Sequence, residues 1–303
     1  MNMVFRPHAR LFGQHARSFS ASAKASNYCV DLVKHQDRER YLCNLLVPQR
    51  ARGGLFALHA LNIELAQLKG VSKEQSIPRM RVAWWRQTLA QAIAGSPPEH
   101  PVAQAIADAY ARYGLTARLI EQLLDAREDN LEVMQPADRK EVMSYCERTA
   151  GALLLLGLEC VQVTDSLAAE QAAVHVGSAL GLATILRGTH AHASQSSTFI
   201  PEDVAQRHGL TLKKILSGRD SPELRDAVAE LASEATTHLL AARALRAEVP
   251  ASARSILLPA GIADVVLQRL QQNAYNVFTP KITASAGVRL PAALAMRNLF
   301  GRF

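Results

Sequence analysis

The sequence contains few cysteines and no motif that would pair them or bind a metal. Four cysteines lie far apart along the chain: Cys29, Cys43, Cys146 and Cys160. None belongs to a Cys-x-x-Cys pair or to a zinc-finger arrangement with histidine. A disulfide scaffold and a structural zinc site are therefore not indicated, and we expect four small apolar side chains in a reducing compartment.

Long hydrophobic runs are also absent. The most apolar run, residues 151–163, contains Glu159 and is shorter than the ~20 residues that cross a bilayer. A second segment, residues 255–270, carries Asp264 and Arg269 and is predicted to be an amphipathic helix. The sequence thus predicts no transmembrane helix, and both segments are candidates for contact with a membrane surface.

Alternating strand patterns are lacking in the body of the chain, where apolar residues recur every three or four positions. Val82, Trp85, Leu89 and Ile93 predict one helix that ends at Gly95. Similar stripes predict three more helices. One ends at Gly114, the next begins after Thr116 as its N-cap, and a later one begins after Ser221, which is followed by proline. We expect an all-α single domain, with residues 279–303 as a loose basic C-terminal tail because prolines and glycine interrupt them.

The N-terminus lacks acidic residues. Residues 1–30 contain Arg6, Arg10, Arg17 and Lys24, and they are rich in serine and alanine. This composition is typical of a mitochondrial transit peptide, and the sequence around Arg17 predicts cleavage after Phe19. Residues 20–30 would then form a flexible remnant. Loss of the three arginines in residues 1–19 lowers the formal net charge from +7 to +4, so nucleic-acid binding is not indicated.

Five segments occur in the order in which they occur in squalene and phytoene synthases. They are Leu46-Val47-Pro48 with Arg52, residues 123–131, Tyr145-Cys146 with Ala150-Gly151, Thr184 to Arg187, and Phe199 to Asp203. Over about residues 31–278 the chain resembles the squalene/phytoene synthase family. The resemblance implies a single-domain helical bundle of the isoprenoid-synthase type.

The aspartates that this family uses for catalysis are missing. They hold Mg²⁺ ions against a diphosphate leaving group. The first aspartate-rich motif should fall within residues 60–70, which contain Glu64 and no aspartate. The second should follow Arg187, but Gly188 and His192 occupy both expected aspartate positions. The resemblance therefore implies no catalytic residue, metal or cofactor.

A vestigial pocket is still expected where those motifs would meet. Its candidate residues are Asn62, Glu64, Arg187, Gly188 and His192. Glu64 and Arg187 could retain a lipid or isoprenoid ligand, or they could form an internal ion pair. His190 and His192 suggest a metal site less strongly than a loop that replaces the lost motif, because zinc needs three or four converging ligands.

Three further segments, residues 62–69, 80–88 and 97–103, resemble a mitochondrial branch of the family with degenerate aspartate motifs. That resemblance implies a non-catalytic role early in the assembly of respiratory complex I, at the matrix face of the inner membrane. The expected partners are complex I subunits or assembly intermediates, with peripheral contact to the membrane.

Alternatives to this interpretation stay open. A lipid- or isoprenoid-binding protein fits the same pocket, and a residual prenyltransferase would need displaced acids such as Asp125 or Asp129. Trp84 and Trp85 are candidates for partner contact because large aromatic residues dominate interfaces. Adjacent positions on a helix point about 100° apart, so we expect one of the two to lie in the core.

Overall fold

The structure is helical throughout the residues that it describes. The computed structural model covers residues 9–70, 76–284, 287 and 289–303, with side-chain positions from residue 23 onward except at residue 289. Every regular element in these ranges is a helix, which confirms the predicted all-α class. No helix found there is long and apolar enough to span a membrane.

Seventeen α-helices follow one another in these ranges. They are α1 (Ala9–Gln36), α2 (Arg38–Leu46), α3 (Gln49–Ala66), α4 (Ser76–Ile93), α5 (Pro101–Tyr113), α6 (Ala117–Asp129), α7 (Arg139–Cys146), α8 (Ala152–Cys160), α9 (Leu167–Arg187), α10 (Thr189–Ser194), α11 (Glu202–Arg207), α12 (Leu212–Leu216), α13 (Pro222–Ala244), α14 (Ala251–Arg254), α15 (Ala260–Gln272), α16 (Pro280–Thr283) and α17 (Arg289–Leu299). A π-helical turn, Glu147–Gly151, joins α7 and α8 into one continuous helix.

Several predicted helix ends are confirmed. The backbone turns left-handed at Gly95 (φ 78°) after α4 and at Gly114 (φ 67°) after α5, a conformation that glycine adopts without a steric penalty. Ser221 caps α13 by accepting a hydrogen bond from the backbone N–H of Leu224 at 3.2 Å. Thr116 occupies the predicted N-cap position of α6, but its side chain does not accept the capping hydrogen bond. Its hydroxyl donates to Glu159 instead.

Helix α9 lies at the centre of the fold and packs against α7, the π-helical turn, α8, α13 and α15. Two glycines allow this close approach. A Cβ atom at Gly177 would lie 2.3 Å from the Cα atom of Gly151, and one at Gly181 would lie 2.6 Å from Cβ of Cys146. Helix α9 therefore contacts the helix formed by α7, the π-helical turn and α8 almost backbone to backbone.

The N-terminal boundary of the folded body lies earlier than the sequence predicted. Helix α1 runs through residue 30 without a break, and Ala25, Cys29 and Val33 are buried where α1 packs against α3 and α5. Residues 23–30 are thus part of the core rather than a flexible remnant. Of the predicted transit peptide, residues 1–8 lie outside the described residues, and the side chains of residues 9–19 are not described, so that segment stays a prediction.

The C-terminal segment is folded, which corrects the prediction of a loose tail for residues 279–303. Helices α16 and α17 fold back onto the body, and the side chains of Ile282, Leu290, Leu294 and Phe303 are buried. Prolines and glycine divide this segment into short helices, but the apolar residues between them are still buried in the core.

The two segments predicted to touch a membrane surface are buried instead. In the second, Ile256, Leu258, Ile262 and Val266 are at most 4% exposed. In the first, residues 151–163, almost every apolar side chain lies in the same core. Their apolar faces meet other helices and are not available to a bilayer.

The close approach at Gly177 predicts a large loss of stability on Gly177→Ala. The new Cβ atom would meet backbone atoms of the π-helical turn, which cannot move away without separating two core helices. We expect the free energy of unfolding to fall by about 3 kcal/mol in urea titrations. Gly53→Ala is the control, because Gly53 is exposed on α3 and its nearest neighbouring atom would be 3.9 Å away. It should raise stability by about 0.5–1 kcal/mol, and equal stabilities of the two variants would contradict the predicted packing.

Candidate functional site

A cavity of about 670 Å³ opens between α2, α3, α6, the π-helical turn and α9. It lies where the resemblance places the two aspartate motifs, because α3 contributes Asn62 and Ala66, while the end of α9 and the start of α10 contribute Arg187 and His192. Residues of the C-terminal segment, including Leu290, close one side. The predicted pocket residues Asn62, Arg187 and His192 are thus brought together.

Arginine dominates the charge of the cavity. Its lining contains four arginines, Arg38, Arg40, Arg127 and Arg187, and two acids, Asp37 and Glu39. Arg40 pairs with Asp37 at 2.6 Å, and Arg187 pairs with Glu39 at 2.7 Å. Both acids are therefore neutralised by neighbouring arginines, and the lining keeps a net positive charge.

The pair at the start of α2 is a fixed part of the wall. Burial works to raise the pKa of Asp37, but the charge and hydrogen bonds of Arg40 outweigh it and hold that pKa below its usual value. Asp37 also caps α2 by accepting from the backbone N–H of Arg40 at 3.1 Å. This carboxylate is engaged on both oxygens and is poorly placed to bind an added cation.

Among the described residues, the hydrogen-bond partners of Arg127 are all neutral groups. Its guanidinium donates to the hydroxyl of Tyr145 and, at 3.1 Å, to Oδ1 of Asn62. It also lies against the Tyr145 ring, 5.1 Å from the ring centre. Burial raises the pKa of Tyr145 although the charge of Arg127 opposes this, so the phenol stays neutral. The charge of Arg127 is consequently free to meet an anion in the cavity.

His192 occupies one of the expected aspartate positions as a neutral imidazole. Burial lowers its pKa to about 4, and the nearby charges of Lys69 and Arg127 act in the same direction. The ring packs edge-on against Phe199 with 4.9 Å between ring centres, and its Nδ1 atom is buried without a hydrogen-bond partner. The residue at this expected aspartate position thus carries no negative charge at pH 7.

Gly188 lies behind His192 rather than in the cavity lining. A Cβ atom at Gly188 would lie 2.9 Å from Cε1 of His192, so the imidazole fills the space that a side chain at position 188 would need. The residues at the two expected aspartate positions are therefore packed against each other. A return to aspartate at position 188 alone would be crowded by the ring.

Glu64 is not in the cavity, which corrects its prediction as a pocket residue. It stands two positions after Asn62 on α3, and two residues correspond to about 200° around an α-helix. The carboxylate therefore points to the opposite side, where it lies 3.8 Å from Arg81. The remaining acid of the first motif region cannot serve the cavity.

The displaced acids on α6 are also outside the cavity. Asp125 accepts from Arg86 at 3.0 Å and from Arg118 at 3.1 Å, and Asp129 pairs with Arg148 at 2.7 Å. Within the ranges that the structure describes, no three His, Cys, Asp or Glu side chains are grouped so that they could hold a metal ion. These acids are arranged as surface ion pairs.

The tryptophan pair on α4 divides as the helix geometry predicts. Trp85 is 1% exposed and belongs to the core, so it is not available for partner contact, whereas Trp84 is 44% exposed. His100 packs edge-on against both rings, with ring centres 5.3 and 5.2 Å away. Only Trp84 remains a candidate contact residue.

The sequence analysis missed the most distinctive residues of the cavity, namely Arg127 and Tyr145. Both lie inside segments that carry the family resemblance, residues 123–131 and the Tyr145-Cys146 segment. One feature of the sequence pointed to Arg127, because it has no acidic neighbour on its own helix face. Its hydrogen-bond partners could not be predicted, since they are 18 and 65 positions away in the chain.

The fold and the cavity together define a helical protein of the isoprenoid-synthase type. A crystal structure of a dehydrosqualene synthase superposes with a TM-score of 0.79 at 19% identity, covering 92% of this chain and 98% of that one. This likeness confirms the predicted bundle.

The squalene/phytoene synthase family model matches residues 33–289, and the chain belongs to that family. Two similar relatives, from Homo sapiens and Bos taurus, are named NADH dehydrogenase (ubiquinone) complex I, assembly factor 6. The human protein is 36% identical over 84% of this chain and 77% of its own length. The bovine protein is 34% identical over 95% of this chain and 86% of its own length.

The neutral state of His192 predicts a pH-dependent stability. Its pKa is 6.5 ordinarily and about 4 in the folded chain, so between these values only the unfolded chain binds the proton. The free energy of unfolding should therefore decrease as the pH falls below about 6.5, by up to ~1.4 kcal/mol per pH unit. Urea titrations from pH 7 to 4.5 should show a shallower decrease for His192→Gln.

The control for this comparison is His35→Gln, because His35 is exposed on α1. It should follow the pH dependence of the unaltered protein. Parallel curves for the unaltered protein and His192→Gln would show that the imidazole gains its proton as easily in the folded chain, against the predicted burial.

Proposed function

We propose that this protein is a non-catalytic assembly factor for mitochondrial respiratory complex I, NADH:ubiquinone oxidoreductase, that acts early at the matrix face of the inner membrane. The observation that carries the proposal is the cavity itself, which holds arginines and a neutral histidine where a synthase needs metal-binding carboxylates. The similarity to relatives named complex I assembly factor 6 supports the same conclusion.

Electrostatics argues against synthase chemistry in this cavity. Magnesium binds carboxylates and oxygen ligands, and ionisation of a prenyl diphosphate needs a cluster of such ions. The acids that the described residues contribute to the lining, Asp37 and Glu39, are each paired with an arginine, and this lining carries a net positive charge. A divalent cation would be repelled, and Glu64, Asp125 and Asp129 point elsewhere.

The location and the partners follow from the same proposal. The acid-free, arginine-containing N-terminus supports import into the matrix. Complex I subunits or early assembly intermediates are the proposed partners, bound through the surface of the helical body. Exposed Trp84 is one candidate contact, because a half-exposed tryptophan offers a large apolar area with a single hydrogen-bond donor.

Arg127 favours a second candidate function, the binding of a lipid, and this function is compatible with the first. This arginine faces a cavity that also has apolar walls formed by residues such as Leu153, Ile185 and Leu290. A positive group beside an apolar wall suits an amphiphile with an anionic head, such as a prenyl phosphate or a phospholipid. The protein would then bind a lipid without reacting it.

The proposed absence of catalysis is tested by incubating the purified protein with farnesyl diphosphate or geranylgeranyl diphosphate and Mg²⁺. We expect no diphosphate release above that of a heat-inactivated sample, because the described part of the chain places no carboxylate cluster at the cavity. A dehydrosqualene synthase assayed in parallel is the positive control. Turnover that disappears on Arg127→Gln would contradict the proposal and place a reaction in the cavity.

The assembly role is tested by deleting the gene in a cell that contains complex I and resolving respiratory complexes on native gels. We expect less assembled complex I and fewer of its early intermediates, with complexes III and IV near normal. Normal amounts and activity of complex I in the deletion strain would overturn the proposal.

Re-expression of variants separates the two candidate functions. Arg127→Gln removes one positive charge from the cavity lining, and Arg118→Gln is a matched control because the Arg118 side chain is 71% exposed on the same helix. If the surface alone matters, both variants should restore complex I equally. Failure of Arg127→Gln at a normal protein level, with rescue by Arg118→Gln, would support an anionic ligand in the cavity.

A further inference from the structure

The outer face of α17 is apolar from residue 290 onward. Every exposed side chain between residues 290 and 300 is apolar: Ala292, Ala293, Ala295, Met296, Leu299 and Phe300. The last three are exposed by 54%, 75% and 57%. A surface helix on a protein in water normally presents charged or polar residues on that side. We call these six residues the α17 outer face.

This helix is firmly attached to the body, so its exposed face is not a core face that has failed to pack. Its inner side chains, Leu290 and Leu294, are buried. Arg297 on α17 and Arg243 on α13 both bind the carboxylate of Asp264 on α15, at 2.7 and 2.5 Å. The apolar residues are therefore held outward by interactions on the opposite side.

Positive charge is concentrated in the last part of the sequence, which ends with the same helix. Residues 243–303 contain eight lysines and arginines and two acids, a net charge of +6 out of +7 for the whole chain. One of those acids, Asp264, is shared by two arginines. The first 242 residues thus carry a net charge of only +1.

Three of these arginines border the end of α17 without a carboxylate among the contacts found in the described part of the chain. Arg246 donates to the backbone oxygens of Gly301 and Phe300, at 3.0 and 3.2 Å. Arg254 donates to the backbone oxygens of Val249 and Arg246. Arg302 is exposed beside Phe300. Their charges are available to an anion outside the molecule.

We propose that the α17 outer face docks on the surface of a bilayer that contains anionic phospholipids. Met296, Leu299 and Phe300 would enter the boundary between headgroups and acyl chains, while the surrounding arginines bind lipid phosphates. Neither interaction suffices alone: a bare apolar face of this size binds weakly, and arginines alone bind any polyanion. Their combination on one surface matches the chemistry of an anionic membrane.

The charge also distinguishes a membrane from a second copy of the chain. A two-fold contact through the α17 outer face would bring two strongly positive segments together, and they would repel each other. An anionic bilayer instead supplies a continuous negative surface. The inference does not depend on the assembly role, because membrane docking in vitro and complex I levels in cells are measured separately.

The test is flotation of the purified full-length chain with vesicles of phosphatidylcholine, with or without phosphatidylglycerol. We expect binding to the mixed vesicles and much weaker binding to phosphatidylcholine alone. The variant Met296→Ser/Leu299→Ser/Phe300→Ser should bind the mixed vesicles about ten-fold more weakly, because its charge is unchanged but its apolar contact is lost. The N-terminal arginines are present in every sample and cannot cause that difference.

A matched control replaces three exposed apolar side chains elsewhere, Met80→Ser/Met134→Ser/Leu167→Ser, and should bind like the unaltered protein. Thermal unfolding checks that each variant folds, and the single variant Leu299→Ser replaces the triple variant if that one does not. Equal vesicle binding by the α17 variant and the unaltered protein would overturn the inference. Loss of a dimer in size-exclusion chromatography, without any loss of vesicle binding, would assign the surface to a second copy instead.

Discussion

The backbone contact between Gly177 of α9 and Gly151 of the π-helical turn is the constraint on which the cavity depends. Both helices in contact contribute to the cavity lining, with Thr184 and Arg187 on α9 and Tyr145 and Thr149 on its neighbour. Their separation is set where a Cβ atom has no room. The π-helical turn also shifts the helix face, since it inserts a residue into the α-helical repeat.

The cavity lining is positively charged, whereas the cavity of a metal-dependent synthase needs negatively charged side chains to hold its cations. Acids that would hold cations are absent or paired, and Arg127 introduces a positive charge supported by the oxygen atoms of Tyr145 and Asn62. The expected aspartate positions are also crowded, because the His192 ring occupies space beside Gly188.

Charge and apolar surface are distributed unevenly over the molecule. Most of the protein is nearly neutral overall and keeps its apolar helices inside, including the segment around Ile262 that the sequence suggested for membrane contact. Residues 243–303 combine the remaining positive charge with the α17 outer face. The cavity and this surface are built from different residues, although Leu290 at the start of α17 lines the cavity.

The sequence by itself determined the helical class, many helix ends and the family, and it predicted the loss of the aspartates. Caps such as Ser221 and left-handed turns such as Gly114 depend on interactions within a few residues, so they can be predicted locally. Tertiary structure decided which faces meet. An apolar stripe predicts a buried face but not what covers it, so residues 255–270 were assigned outward and the end of α17 was dismissed as a tail. The partners of Arg127 and the rotation that turns Glu64 away while Asn62 lines the cavity depend on packing between distant helices, which local sequence does not encode.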